Sequence, residues 1–212
     1  MDNPTANGAT MHGVVPGDVQ VREATPAELD RVGTLTLRSY DRLDAKFSGD
    51  YRIELGDAHK RAATDALIMV GLLGDEVAGS LTLSLGNTEM FEHAFGVDGD
   101  CGFRMLAVEP GMEGRGVGRA LVLGAIARCK SVGARRMVIT SMDFMPRAHR
   151  MYQRFGFVRR PDLDVRFPSG VGMGFNLDLT ADAPAHFAAP GPAPAAPPWY
   201  LDLPQPPDVP CA

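Results

Sequence analysis

Three glycines at alternate positions, Gly114, Gly116 and Gly118, stand between an apolar stretch, Phe103 to Val108, and a stretch of helical apolar spacing that begins at Val117. A strand that runs through glycines into a helix presents the helix start beyond the strand's end. That start carries unpaired N–H groups and a partial positive charge, and glycines let an anion come close to the main chain. The segment Glu113-Gly114-Arg115-Gly116-Val117-Gly118 therefore reads as a phosphate cradle, against the plainer reading of a glycine-rich turn without a ligand. Spacing removes two common ligands. The chain has no Gly-Lys-Ser/Thr, so the nucleoside-triphosphate loop is absent. The dinucleotide pattern fails because its third small residue falls on Arg119 or Leu121.

What flanks the loop sets the fold class. Val117, Leu121, Ala125, Cys129 and Val132 keep helical spacing before Gly133, and Met137 to Thr140 is short, β-branched and apolar. A strand, loop, helix and strand in that order require two parallel strands joined by a right-handed crossover. Upstream, Val19 to Arg22 alternates like a strand. Thr25-Pro26-Ala27-Glu28 is a helix start, continued by Leu29, Val32, Leu35 or Thr36, Tyr40 and Leu43. A second helix is expected from about Asp57 to Leu67, after a connection holding Phe47 and Tyr51. Ile68 to Leu73, Gly74-Asp75 and Ser80 to Leu85 then predict an antiparallel hairpin, followed by a loop from Gly86 to Asp100. Pro146 opens a helix that should stop near Phe155 at Gly156, and Phe157-Val158 and Val171 to Leu179 supply further strand. The expectation is an α/β (α+β) domain over residues 18–180, with a mixed, mostly antiparallel sheet around a central parallel pair, flanked by helices.

Both ends differ in composition. Residues 1–17 are rich in Gly, Pro, Asn and Thr and read as a flexible leader. Residues 181–212 hold ten of the seventeen prolines and read as an extended Pro/Ala-rich tail with one apolar island, Trp199-Tyr200-Leu201. A formal net charge of -5 without a Lys/Arg-dense stretch argues against nucleic acid as a partner. Cys101, Cys129 and Cys211 have no metal-ligand spacing and read as reduced thiols. With no signal-like start and no apolar run near the roughly 20 residues that span a bilayer, the expectation is a soluble, cytoplasmic protein without a membrane partner.

Two separated segments carry a family resemblance. Leu106-Ala107-Val108-Glu109-Pro110 followed by Arg115-Gly116-Val117-Gly118-Arg119-Ala120-Leu121, and then Ala148-His149-Arg150-Met151-Tyr152-Gln153-Arg154-Phe155-Gly156-Phe157, resemble in that order two motifs of the GCN5-related N-acetyltransferase (GNAT) family. The resemblance covers about Val19 to Leu179. It implies an acetyl-CoA-dependent N-acetyltransferase that moves acetyl directly onto a primary amine of a small molecule or peptide, with acetyl-CoA as cosubstrate and no metal. Dimerisation is common among similar proteins.

The resemblance also assigns residues. It implies a bulge in the strand of Leu106, Ala107 and Val108, which splays from the strand at Met137 to Ser141. Main-chain groups of Leu106 and Val108 would then meet the acetyl and pantetheine amides. Those from Gly114 through Arg115, Gly116, Val117, Gly118 and Arg119 to Ala120 would hold the pyrophosphate, with the side chains of Arg115 and Arg119 adding contacts. Tyr152 matches the family's tyrosine that protonates the departing thiolate, which suits a phenol of pKa about 10 beside a thiol near 8.5. Three places depart from the pattern. Glu113 replaces the usual Gln or Arg, so its carboxylate should turn away from the anion. Met145 replaces a frequent Asn, and Gly102 replaces a glutamate that some relatives use as base. Deprotonating an ammonium of pKa about 10.4 costs roughly 4–5 kcal/mol at pH 7, so a base is wanted, and Glu89, Glu92, His93 and Asp143 are the candidates. Arg104, an arginine among apolar strand residues, is expected to orient an acidic group of the acceptor. A second class of function stays open: an acetyl-CoA-binding module of little catalysis, acting through its tail.

Overall fold

Thr25 and Glu28 begin the first helical unit as their spacing predicts, with the Glu28 carboxylate accepting from the Thr25 N–H at 2.7 Å and hydroxyl at 2.9 Å. A 3-10 turn at Pro26–Glu28 leads into helix α1 (Leu29–Tyr40). The computed structural model describes residues 19–43, 49–86, 100–167 and 169–180. The expected leader over 1–17, the tail over 181–212 with Trp199-Tyr200-Leu201 and Cys211, Phe47, and residues 87–99 with Glu89, Glu92 and His93 lie outside them.

Eight strands form one mixed sheet: β1 (Val19–Glu23), β2 (Leu67–Leu73), β3 (Glu76–Ser84), β4 (Asp100–Val108), β5 (Arg136–Met142), β6 (Val158–Arg159), β7 (Val165–Phe167) and β8 (Gly170–Asp178). Their order is β1-β2-β3-β4-β5-β8-β6, with β7 also on β8, and among the described residues only β4 and β5 run parallel. The expected fold class is therefore what forms. Helix α4 (Val117–Ser131) makes the crossover between the parallel pair, and α5 (Pro146–Arg154) follows β5. Among the described residues no helix is long and apolar enough to cross a membrane.

The sheet has an apolar layer on each face. Val117, Leu121, Ala125 and Cys129 of α4 pack with Leu81, Leu83 and Phe103 on one, while Leu29, Val32, Leu35 and Tyr40 of α1 pack with Ile68, Val70 and Leu72 on the other. With both faces covered, the polar residues that alternate through Ser80 to Leu85 are enclosed as well: Ser80, Thr82 and Ser84 are all buried. Their hydroxyls suit that burial through local partners, such as the Gly86 carbonyl that accepts from Ser84 at 2.6 Å.

Other boundaries moved for local reasons. In place of one helix from Asp57 to Leu67 there are two short ones, α2 (Asp50–Gly56) and α3 (Ala58–Ala62), and Leu67 already belongs to β2. Asp57 breaks the run: its side chain accepts from the Lys60 N–H at 2.8 Å, so it caps a helix instead of continuing one. Arg61, 1 % exposed, folds back to donate to the Glu54 and Leu55 carbonyls at the end of α2 at 2.5 and 2.8 Å. Val132 lies past the end of α4 and is 47 % exposed, so it is not part of the apolar stripe.

Two features of β4 prepare the site. The pairs Ser80↔Ala107 and Thr82↔Arg104 leave an extra residue in β4, and Met105 takes a φ of 54°, the only left-handed non-glycine among the described residues. Because side chains alternate along a strand, one inserted residue moves all that follow to the opposite face. Cys101 and Phe103 accordingly pack on the α4 side, and Met105 and Ala107 on the α1 side. The ladder between β4 and β5 contains only Asp100↔Arg136 and Cys101↔Met137. An ion pair of Arg136 with the buried Asp100, Nη2 to Oδ2 at 2.5 Å, pins that closed end.

Candidate active site

Beyond Cys101 the parallel strands part, leaving a wedge along Phe103 to Val108 that is about 20 Å long at the usual rise per residue. Leu106, Ala107 and Val108 form the β4 wall. Ala107 and Val108 still pair with Ser80 and Gly79 of β3, so their other main-chain edge faces the opening. The splayed geometry implied by the resemblance is thus present in the backbone.

At the mouth of the wedge the chain turns from β4 into α4. Gly114 and Gly116 take φ of 78° and 87°, values that favour glycine, and Gly116 caps α4 in the left-handed region. Ala120 donates its N–H to the Gly116 carbonyl at 2.8 Å, which closes the first turn. Ala120 is therefore removed from the expected main-chain donors, because its proton is spent within the helix. Among the described residues none of the N–H groups from Gly114 to Arg119 has a partner. Val117 and Ala120 are buried beneath this row, Gly118 is half-buried, and the side chains of Arg115, exposed, and Arg119, half-buried, make no ion pair among the described residues. A row of free donors at a helix head with two uncommitted guanidinium groups can hold a polyanion such as a diphosphate.

Glu113 sits beside this row, and its carboxylate is already engaged. Gly111 donates to one oxygen at 2.7 Å and Arg42 to the other at 2.5 Å. The N–H groups of Glu113 itself and of Gly111, with Arg42 and Arg147 nearby, hold its carboxyl below the usual range. Met145, where an amide was a frequent choice, accepts through sulfur from the Ser141 hydroxyl at 3.7 Å and packs on the α1 side.

Tyr152 comes from α5 on the opposite wall. Its ring lies 5.8 Å from Phe103, 5.7 Å from Phe157 and 6.1 Å from Phe175, centroid to centroid. At 5 % exposure its phenol is pushed well up by burial, so it stays protonated. Among the described residues its hydroxyl makes no hydrogen bond, which is unusual for a tyrosine held only for packing. One turn earlier, His149 stacks 5.2 Å from Phe175, and burial lowers its imidazole to about 4.

A second group of side chains near Tyr152 has no signal in the sequence. Tyr40, at the end of α1, is buried, and its phenol is pushed well up by burial, with Tyr51 and Tyr152 adding and Arg104 and Arg61 opposing. Arg104 hydrogen-bonds the Tyr51 hydroxyl, whose phenol burial also raises. Arg104 thus meets phenols of the α1–α2 side, on the face opposite α4. Asp143, by contrast, accepts from the Phe144 N–H at 3.0 Å and fills the space beside Gly170, where a Cβ would meet its Oδ1 at 2.8 Å, so it belongs to the turn between β5 and α5. Cys101 and Cys129 are buried against each other, and that contact, ahead of burial, raises the Cys101 thiol. Neither is placed as a nucleophile.

A parted mixed sheet with this loop and phenol defines an acyltransferase of the GNAT class. The chain belongs to the acetyltransferase (GNAT) family, whose model matches residues 34–157. Its fold is similar to a GCN5-related N-acetyltransferase from Kribbella flavida at 19% identity and TM-score 0.60, covering 76% of this chain and 98% of that one. It is also similar to the paia N-acetyltransferase of Thermoplasma acidophilum, solved with coenzyme A, at 14% identity and TM-score 0.58, covering 76% and 98%. A GNAT family acetyltransferase of Brucella melitensis, solved with acetyl-CoA, gives 21% identity and TM-score 0.52 over 78% and 91%. No curated protein matches in sequence.

Proposed function

We propose that this chain is an acetyl-CoA-dependent N-acetyltransferase that transfers acetyl directly to a primary amine, in the cytoplasm, with residues 18–180 as the catalytic domain. The observation that carries the reading is the row of N–H groups from Gly114 to Arg119, without partners among the described residues, at one end of a wedge whose wall bears Tyr152. Family membership, and relatives of the same fold that hold acetyl-CoA or coenzyme A, support the ligand.

The chemistry follows from what each group does. Val117, Gly118 and Arg119, with the loop glycines, hold the diphosphate, and the free edge of Leu106 to Val108 aligns the pantetheine arm and the thioester beside Tyr152. Main-chain N–H groups of that edge take the charge that grows on the carbonyl oxygen as the amine attacks. Tyr152 donates a hydrogen bond, then its proton, to the sulfur. Burial raises phenol and thiolate alike, so the transfer between them stays nearly balanced despite the high phenol pKa. Proton removal from the amine is left to water or to a group outside the described residues.

Thiol release from acetyl-CoA across a panel of amines, with the full chain and with a chain truncated after Thr180, tests the reading. Turnover on an amine supports it. Tight acetyl-CoA binding with turnover on none supports instead the binding-module reading, in which the tail over 181–212 carries the function.

Arg104 adds an expectation about the acceptor. As a charged group facing the α1–α2 side it orients a carboxylate on the incoming amine. Arg104→Ala should therefore raise KM for an acidic acceptor by about 10-fold or more and change KM for a neutral amine little. An unchanged KM for the acidic acceptor contradicts this role.

A further inference from the structure

Glu109 directly follows β4 and opens the proposed diphosphate loop, yet only 4 % of it is exposed. A carboxylate in such a place loses its hydration and stays only where charge replaces it. Two arginines of α1 do so: Arg31 Nη1 lies 3.0 Å from Oε2 and Arg38 Nη1 lies 3.0 Å from Oε1. The Arg31 contact is an ion pair without hydrogen-bond alignment, since among the described residues Oε2 has no aligned donor. Residues 31 and 38 are two turns apart on one helix face. Just past that helix, Arg42 grips Glu113 in the same loop. Both acidic residues of the segment are thus tied to one stripe of guanidinium groups.

The loop needs such ties. Gly111, Gly114 and Gly116 all have positive φ, and among the described residues nothing lies within 4 Å of where a Cβ would stand on any of them. Glycines lose the most conformational freedom on ordering, and packing at these three positions does nothing to hold them. Besides Met112, which packs partly buried on the core, the segment is held by Glu109, through its side chain on α1, its N–H on the Ala78 carbonyl at 2.8 Å and its carbonyl on the Met112 N–H at 2.9 Å, together with Glu113.

We propose that Glu109 is a positioning residue for the acyl donor: clasped by Arg31 and Arg38, it ties the loop to α1 and so aims the N–H groups of Gly114 to Arg119 at the diphosphate. The proposal rests on the acetyl-CoA reading above. Its consequence is selective for the part of the donor that carries the diphosphate. S-acetylpantetheine has the same thioester and arm without that group, so losing the clasp leaves its binding alone.

The test is calorimetric titration of wild type and Glu109→Gln with acetyl-CoA and with S-acetylpantetheine. In wild type acetyl-CoA binds much the more tightly. In Glu109→Gln the ratio of the two Kd values should shrink about 10-fold, because only the acetyl-CoA Kd rises. A merely structural Glu109 lowers the melting temperature and weakens both ligands together, which overturns the proposal, as does an unchanged ratio. Should Glu109→Gln fail to fold, Arg38→Gln, at a side chain 56% exposed, gives the same pattern at reduced size if the proposal holds and an unchanged ratio if it does not. A wild type that binds acetyl-CoA while the ratio stays fixed removes this inference alone. A wild type that binds no acetyl-CoA removes the proposed function and the inference with it.

Discussion

Tyr152→Phe should lower kcat about 100-fold on any amine the panel returns, with the Kd for coenzyme A changed less than about twofold. Phenylalanine keeps the ring that packs on Phe103, Phe157 and Phe175, and it deletes a hydroxyl with no partner among the described residues. The fold therefore loses nothing, and the defect falls on the step in which the sulfur departs. Burial holds the phenol above its ordinary value of about 10, so the gap between the two enzymes should be constant with pH up to at least about that value. Steady-state kinetics at saturating acetyl-CoA check this. An unchanged kcat would reduce Tyr152 to a packing residue.

The second large effect concerns Gly118. Its φ is ordinary, and a Cβ there would meet only the Val108 Cγ2 at 3.5 Å, a normal contact. Gly118→Ala should thus fold at least as well as wild type, with up to about 1 kcal/mol gained from the better helix former. Coenzyme A affinity should nevertheless fall about 10- to 100-fold, because the added methyl occupies the ground over which the diphosphate approaches the N–H groups of Val117 to Arg119. A melting curve and a titration on the same sample separate the two consequences. Gly116 would be a poorer choice, since its φ of 87° strains any side chain whether or not a ligand is present. A Gly118→Ala variant that binds coenzyme A as tightly as wild type would show that the ligand does not lie on this stretch of main chain.

What was legible beforehand was local. The loop, α4 with its stop at Gly133, and α5 with its stop at Gly156 each depend on residues a few positions apart, and each stands within about a residue of where the spacing put it, Val132 falling just past α4. The place of Tyr152 on α5 was legible for the same reason, because it lies in a contiguous motif. The Met105 bulge left only a faint trace, the run of four apolar residues Met105 to Val108 that an alternating strand would not need, and the resemblance carried it instead. Contacts between distant segments were silent. Nothing near Arg31, Arg38 or Glu109 in the chain announces that they meet, and Tyr40, Tyr51 and Arg104 are brought together only when α1 and α2 close over the sheet. Of the two short helices, Ala58–Ala62 fell inside the longer one expected from about Asp57 to Leu67 and Asp50–Gly56 was missed, because neither is long enough to show a period, and three-residue β7 gives no alternation at all.

Where the diphosphate sits decides the rest, and a crystal structure of the complex with coenzyme A answers that directly. It should show diphosphate oxygens within about 3.2 Å of main-chain nitrogens between Gly114 and Arg119, and the sulfur close to the Tyr152 hydroxyl. A diphosphate bound elsewhere, or held by arginine side chains with those nitrogens facing water, would contradict it.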